Sequence, residues 1–502
     1  MNTTKKLTTL LLALMTASIA FAYDFEVDGI CYLVNGSEVT VTSRTPLHVN
    51  STDYTGDVVI PETVTYQGVT YSVTAIGGGA FYSSSELTSI SIPSTVEKIG
   101  ADAFLNCDRL KRVEIQDIAA WCNIVFETMH SNPISNTIEG NWDFWNDQDI
   151  ELYVNGSLLT QLDIPEEVTS IGAYAFAGMR FEHVTFPNTL VSIGNDAFRR
   201  AQFLAEAILP VSLQLLGTRA FYKCFNLQKV QINGGLEIIP ERAFAYCSCL
   251  SDVSLPSTVK EIKQSAFREC RNLTTMPMTD SLQIIEDYAF YFSGIKQLKT
   301  GKMLTSIGEF AFYDCNKLIS VEIGDQVTTL GDYVFSGSDY LQKVIVGNGV
   351  HRIPEGFCAD CERLLSVVLG SAVDTLEEYS FGYCVKLNTI ICKAEVPPVM
   401  NGAEGSFFPS AVFQNATLYV PPSSVGAYRT AYVWEKFQNI VVPGDVNGDG
   451  EVNMGDLNSV IDVVIMGGNA GHPRIVDADV NEDGEVNIGD VNAIIDIILE
   501  NN

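Results

Sequence analysis

Two acidic stretches near the C-terminal end have the residue types and spacing of a metal site. One runs DVNGDGEVNMGD from Asp445 and the other DVNEDGEVNIGD from Asp479, 34 residues later. Over twelve positions, the first places Asp445, Asn447 and Asp449 at 1, 3 and 5, Asn453 at 9 and Asp456 at 12. The second places Asp479, Asn481, Asp483, Asn487 and Asp490 at the same positions. Calcium takes about six to eight hard oxygens, and a twelve-residue loop of this pattern supplies them. The main-chain carbonyls of Glu451 and Glu485, at position 7, are expected to contribute, and the Asn at 9 to act through water. Gly450 and Gly484, at position 6, permit the sharp turn. One such loop could be an acidic turn, but two in the same spacing point to two calcium sites.

Each loop leads into a helical pattern. Leu457, Val460, Ile461 and Val464 match Val491, Ile494, Ile495 and Ile498 at the same offset of 34, an i, i+3, i+4, i+7 stripe expected to be buried. Val463, Ile465, Ile497 and Leu499 exceed one stripe. They either widen the core or form a docking surface.

Other chemistry finds little support. None of the five histidines stands with a Ser or Cys in a nucleophile motif, and the carboxylates outside the loops are scattered, so no enzyme is expected. Thirty Lys and Arg face 61 Asp and Glu, a formal balance of -31. Such a surface repels nucleic acid and anionic membranes and favours divalent cations.

The N-terminal residues read as an address. Lys5 and Lys6 precede an apolar run ending in Ala20-Phe21-Ala22, the layout of a signal peptide cleaved after Ala22. The run is short for a membrane anchor. An exported chain with no membrane span in its mature form is expected.

The elements between these ends form a repeat. Ala-Phe or a close variant recurs at Phe81, Phe104, Phe176, Phe198, Phe221, Phe244, Phe267, Phe290, Phe312, Phe335, Phe357 and Phe381, in steps of 22 to 24 residues except for one gap. Leu follows six residues on, as at Leu110 and Leu250, then apolar pairs such as Val113/Ile115 and Val321/Ile323, then Ile-Gly as at Ile99-Gly100. One unit cannot bury its own apolar face, so neighbours must stack around a continuous core. The Val-x-Ile pair has the period of a short strand. Stacked in register it makes a parallel ladder, with the Ile-Gly-x-x-Ala-Phe half returning as a turn or short helix. Flanking positions such as Arg112/Glu114, Lys229/Gln231, Asp252/Ser254 and Ser320/Glu322 are polar and mixed in sign. They suit a solvated face or a protein-binding one.

The gap from Phe104 to Phe176 leaves room for about two degenerate coils. Asn155-Gly156 signals a hairpin there. Trp121, Trp142 and Trp145 fall in the same part and either grip a sugar ring or, the favoured reading, plug an imperfect core. Of twelve cysteines, Cys107, Cys224, Cys247, Cys270, Cys315 and Cys384 lie three residues after a repeat Phe, a column held elsewhere by Ser84, Ala201, Ser293 and Ser338. A column shared by Cys, Ser and Ala calls for a small buried side chain, and buried free thiols are expected. Cys358-x-x-Cys361 lacks a second CxxC or a His pair, so zinc is not expected.

Units such as IGADAFLNCDRLKRVEI and IGEFAFYDCNKLISVEI make residues 24 to 442 resemble the BspA-like leucine-rich repeat proteins of bacterial surfaces. That resemblance implies an extracellular, non-enzymatic role in adhesion or host-protein binding. The duplicated loop and helix, with Asp at position 12 where an EF-hand has Glu, resembles a type I dockerin over about residues 443 to 500. Dockerins plug into a cohesin on another protein, often in assemblies that degrade polysaccharide. At positions 10 and 11, often Ser-Thr in that family, this chain has Met454-Gly455 and Ile488-Gly489.

The expected fold class is mixed and mainly β: a leucine-rich repeat solenoid with a parallel β ladder, then a small α-helical calcium-binding dockerin-like domain. The expected division is a signal peptide over 1–22, a solenoid over 23–442 with an irregular insertion near 116–158 and a closing cap near 393–442, and the dockerin-like domain over 443–502. The expected function is secreted or cell-surface binding, the repeats recognising a protein or glycan and the C-terminal module attaching to a cohesin-like partner. The alternative is an accessory subunit of an extracellular polysaccharide-degrading complex.

Overall fold

The computed structural model describes residues 23–45, 54–135, 150–442, 444–447, 452–465, 478, 480–481 and 486–500. The expected signal peptide, Trp142 and Trp145 lie outside these residues. The chain is a parallel-strand solenoid of about 15 turns with helices toward its C-terminal end. It divides into two compact units, residues 1–227 and 228–502.

In the first unit, antiparallel strands Phe25–Val27, Ile30–Asn35 and Glu38–Thr42 start the stack. Val69–Ile76, Lys98–Ile99 and Val125–Phe126 then join in parallel. A second ladder runs through Gly56–Val59, Leu87–Ile92, Arg112–Ile115 and Glu151–Val154. Glu151–Val154 folds back on Ser157–Leu158 around Asn155 (φ 49°) and Gly156 (φ 79°), the hairpin the Asn-Gly pair announces. Trp121 is buried and its indole N–H donates to the Ala175 carbonyl at 2.7 Å. It plugs the coil that lacks a phenylalanine.

In the second unit, seven parallel strands from Gln297–Lys299 to Asn439–Val441 form one ladder, the Val-x-Ile strands in register. The Ile-Gly segments form a second parallel ladder of two-residue strands, from Ile238–Ile239 to Thr329–Leu330. Coils approach so closely there that a Cβ on Gly331 would lie 2.2 Å from the Glu309 nitrogen. The closing segment buries Tyr428 and Trp434, which bond back to the carbonyls of Ala394 and Pro398.

The Ala-Phe half is all turn. Residues two before and two after the phenylalanine are left-handed, as Arg242 (φ 52°) and Tyr246 (φ 64°) are around Phe244. This alternation aims every second N–H at the next coil. Arg242, Phe244 and Tyr246 donate to the carbonyls of Gln264, Ala266 and Arg268 at 3.1, 2.9 and 2.7 Å. The turn half therefore carries its own hydrogen-bonded ladder, which satisfies groups that burial would otherwise orphan.

The phenylalanines stack as a buried column, Phe244, Phe267, Phe290 and Phe312 lying 5.0–5.4 Å apart. One position differs from the sequence reading. Phe357 occupies the Ala position and Cys358 the Phe column: the left-handed residues are Gly356 and Asp360, and the Phe335 N–H donates to the Phe357 carbonyl as Phe312 does to Val334. The ring reaches sideways into the space the thiol leaves, so Phe335–Phe357 and Phe357–Phe381 meet edge to face at 82° and 85°. The column then continues to Phe408, stacked on Phe381.

The small-residue column also has a bonding role. Cys107, Cys270 and Cys315 point their thiols at the carbonyls of Phe81, Phe244 and Phe290 at 3.1, 3.2 and 3.3 Å, and Ser338 does the same to Phe312. Cys361 joins this column, bonding to Phe335. None of the twelve cysteines is in a disulfide, and every one except the half-exposed Cys249 is buried.

Candidate functional site

In each acidic loop, position 12 lies in the first turn of a helix, Asp456 in Met454–Ile465 and Asp490 in Ile488–Glu500. Both carboxylates are 0 % exposed. Asp456 accepts the Asn447 N–H on Oδ1 and the Asn453 N–H on Oδ2, both at 2.9 Å. Asp490 accepts the Asn481 and Asn487 N–H groups at 3.1 and 2.8 Å. The shorter acid at position 12 thus draws positions 3 and 9 of its own loop toward it. Position 9 caps the helix start: Asn453 Oδ1 accepts the Gly455 N–H and Asn487 Oδ1 the Gly489 N–H, each at 2.7 Å.

The same closure brings the position-3 amides close to the glycines at position 11. A Cβ on Gly455 would lie 2.8 Å from Asn447 Nδ2, and one on Gly489 2.6 Å from Asn481 Nδ2. Of the expected ligands, Asp445, Asn447, Asn453, Asp456, Asn481, Asn487 and Asp490 are described. Asp449, Glu451, Asp479, Asp483 and Glu485 lie outside the described residues. No cluster of three His, Cys, Asp or Glu occurs among the described residues.

The donor set nonetheless fits a hard cation. Among the described residues, Asp456 and Asp490 have no cationic side chain beside them, and two backbone N–H groups offset each buried charge. Burying a carboxylate without a counter-charge costs several kcal/mol. Oxygen donors from Asp and Asn are those that calcium prefers.

The helices pack through Val446, Leu457, Val460, Val463, Ala478, Val491 and Ile494, with Ile461, Val464 and Ile498 at the margin. Val463 therefore widens the core. Ile495, expected in the buried stripe, is exposed, because the second helix packs through Val491, Ile494 and Ile498 and turns its i+4 position out. Met454, Ile465, Ile488 and Leu499 are exposed as well. This apolar surface includes position 10 of both loops.

Two further surfaces lie on the repeats of the second unit. On the strand face, Ser320, Lys343, Ser366, Thr389, Thr417 and Asn439 share one column. The neighbouring column reads Glu322, Ile345, Val368, Ile391, Tyr419 and Val441, so the mixed polar face gives way to an apolar stripe. A step of one repeat from Glu322 would have shown this in the sequence. On the turn face, half-buried rings stack along the coils: Tyr288 on Phe310 on Tyr333, and Tyr291 on Tyr313, at 5.1–5.3 Å. Burial raises the Tyr291 phenol while Arg268 opposes it, and a hydrogen bond to Glu355 pushes Tyr333 up to about 12.

In the first unit a cavity of about 290 Å³ opens beside the hairpin, lined mainly by Ile150, Leu152, Leu158, Met179 and Phe181. Among the described residues its titratable lining groups are Glu151 and Arg180.

Stacked coils with phenylalanine and thiol columns define a solenoid of the leucine-rich repeat class. Six copies of the BspA type leucine-rich repeat region match residues 62–139, 150–274 and 260–388, more than half of the chain. The chain belongs to the BspA type leucine-rich repeat family. A type I dockerin domain matches residues 443–499, and such domains generally bind calcium. Among solved structures, a leucine-rich repeat protein from Bacteroides ovatus is similar at 24% identity and a TM-score of 0.54, over 84% of this chain and 100% of that one. A leucine-rich cell surface protein from Faecalibacterium prausnitzii is similar at 21% identity and a TM-score of 0.42, over 84% and 94%. The pneumococcal vaccine antigen PcpA is similar at 19% and 0.45, over 74% and 93%. No curated protein sequence matches. Leucine-rich repeat and dockerin families are typically non-enzymatic binding modules. No helix among the described residues is long and apolar enough to cross a membrane.

Proposed function

We propose that this chain is an exported, non-enzymatic binding protein whose repeats recognise a ligand and whose C-terminal module attaches it, in calcium, to a cohesin-like domain of another protein. The proposed division is a signal peptide over 1–22, the solenoid over 23–442 and the module over 443–502. The ligands of one ion are Asp445, Asn447, Asp449, the Glu451 carbonyl, Asn453 through water and Asp456. Those of the other are Asp479, Asn481, Asp483, the Glu485 carbonyl, Asn487 through water and Asp490.

The observation that carries this reading is the pair of buried carboxylates, Asp456 and Asp490, each with two N–H donors and no cationic side chain among the described residues. Bound metal neutralises them and contributes directly to folding of the segment that presents the exposed Met454, Ile465, Ile488 and Leu499. The test is binding of the full chain to immobilised cohesin domains in calcium and in chelator. Binding in calcium, lost in chelator and in Asp445→Ala/Asp479→Ala, is expected. Binding unaffected by both would contradict the proposal.

A further inference from the structure

Arg268 has no ion-pair partner among the described residues, in a chain where carboxylates outnumber Lys and Arg by 61 to 30, although Glu269 and Asp314 stand near the same Tyr291 ring. Several other arginines pair with acids: Arg109 with Glu86, Arg271 with Glu269, Arg352 with Asp332 and Glu377. Arg268 has no carboxylate partner among the described residues, and its buried Nε has no hydrogen-bond acceptor. Its guanidinium lies instead among three rings, 4.5 Å from the centroid of Tyr291, 5.9 Å from Tyr288 and 6.0 Å from Tyr246. Such contacts hold a planar cation in place without neutralising it.

The surroundings extend the patch. Phe292 packs on Tyr291 at 4.7 Å, and Arg271 sits over Phe292 at 6.0 Å. Lys317 donates to the Arg271 carbonyl at 3.0 Å and, like Arg268, has no acidic partner among the described residues. Tyr, Phe and Arg together are the composition of interface hot spots.

We propose that this patch docks a segment of a partner protein that sets a single carboxylate against Arg268. The proposal builds on the binding role of the repeats and names the face they use. The aromatic geometry favours a protein over a sugar. Sugar rings lie on aromatic faces, but here the faces of Tyr291 and Tyr313 cover each other at 9° and those of Phe310 and Tyr333 at 6°. What the stacks present outward is ring edges, which carry the positive end of the aromatic quadrupole and suit packing beside an anion. Charge sets the number of carboxylates. A polyanion would be repelled by a chain of net charge -31, whereas one acid aimed at a pre-held guanidinium gains a bidentate pair with little ordering cost.

The test uses the full chain and two labelled heptapeptides, Gly-Leu-Phe-Glu-Phe-Leu-Gly and its counterpart with Gln for Glu, read by fluorescence anisotropy. The Glu peptide is expected to bind about tenfold or more tighter, the value of a charge-assisted hydrogen bond. Arg268→Gln should erase that preference. Arg268→Lys, with an unchanged melting temperature, should keep part of it and show that the fold survives. Binding should be the same in chelator, because the patch is independent of the acidic loops; loss in chelator would assign the peptide to the C-terminal module and overturn the proposal. Equal affinity for the two peptides, or a preference that persists in Arg268→Gln, would also overturn it. So would oligogalacturonate displacing the Glu peptide through Arg268, which would make the occupant an acidic glycan.

Discussion

The Asp456 carboxylate holds the Asn447 N–H at 2.9 Å across nine residues of its own loop, and Asp490 repeats that bond with Asn481 at 3.1 Å. The acid that closes each loop is thus fixed by backbone donors, with no cationic side chain beside it among the described residues. Replacing Asp456 with Ala leaves the Asn447 and Asn453 N–H groups without acceptors. A loss of at least about 1–3 kcal/mol, the range for orphaned buried donors, is expected for unfolding of the C-terminal module in calcium, and loss of the ion that Asp456 ligates adds to it. Urea titration of the variant against wild type checks this.

Phe244 is buried and stacked on Phe267 at 5.4 Å. Phe244→Ala should destabilise the repeats by about 3–5 kcal/mol, as truncation of a buried Phe does. A change within about 0.5 kcal/mol, typical of surface positions, would remove the stacked column from the account. Denaturant melts of the full chain make the comparison.

The turn half leaves no space at the Ile-Gly step. Gly331→Ala should cost about 1–3 kcal/mol, because its methyl group would meet the backbone of the preceding coil at Glu309. Gly235, with nothing near its Cβ position, is the matched control and should change little when replaced by Ala. Thermal melts of the two variants separate the positions.

Buried thiols should be inert. Burial raises the pKa of Cys107 and Cys315 to about 12 and that of Cys270 higher still. At pH 8 these groups are therefore protonated, and the thiolate that alkylates is scarce. Iodoacetamide at pH 8 should modify the half-exposed Cys249 first and the column only after unfolding. Peptide mass spectrometry reads the order of labelling. Rapid modification of Cys270 in the folded chain would contradict its place in the stack.

How far these features could be read from the sequence depends on what each position tolerates. The Phe, Leu and Val-x-Ile columns were legible because each buried position accepts few side chains. The loop-and-helix module was legible as a type I dockerin because its polar residues recur at fixed intervals in both copies. Phe357 was misplaced because a phenylalanine one position early resembles the motif, and only the stack shows Cys358 standing in its column. The left-handed turn residues were hidden for a different reason. Tyr246, Tyr288 and Phe310 adopt a conformation usually left to glycine, and the coil-to-coil hydrogen bonds that hold them there leave no local signature. Arg268 was illegible too, since its lack of an acidic partner among the described residues exists only in three dimensions.

Calcium titration of the full chain by isothermal calorimetry tests the central claim most directly. Two ions per chain are predicted, one in Asp456→Ala or Asp490→Ala, and none when both are replaced. No calcium uptake by the wild-type chain, or uptake of two ions by the double variant, would contradict the assignment of the loops.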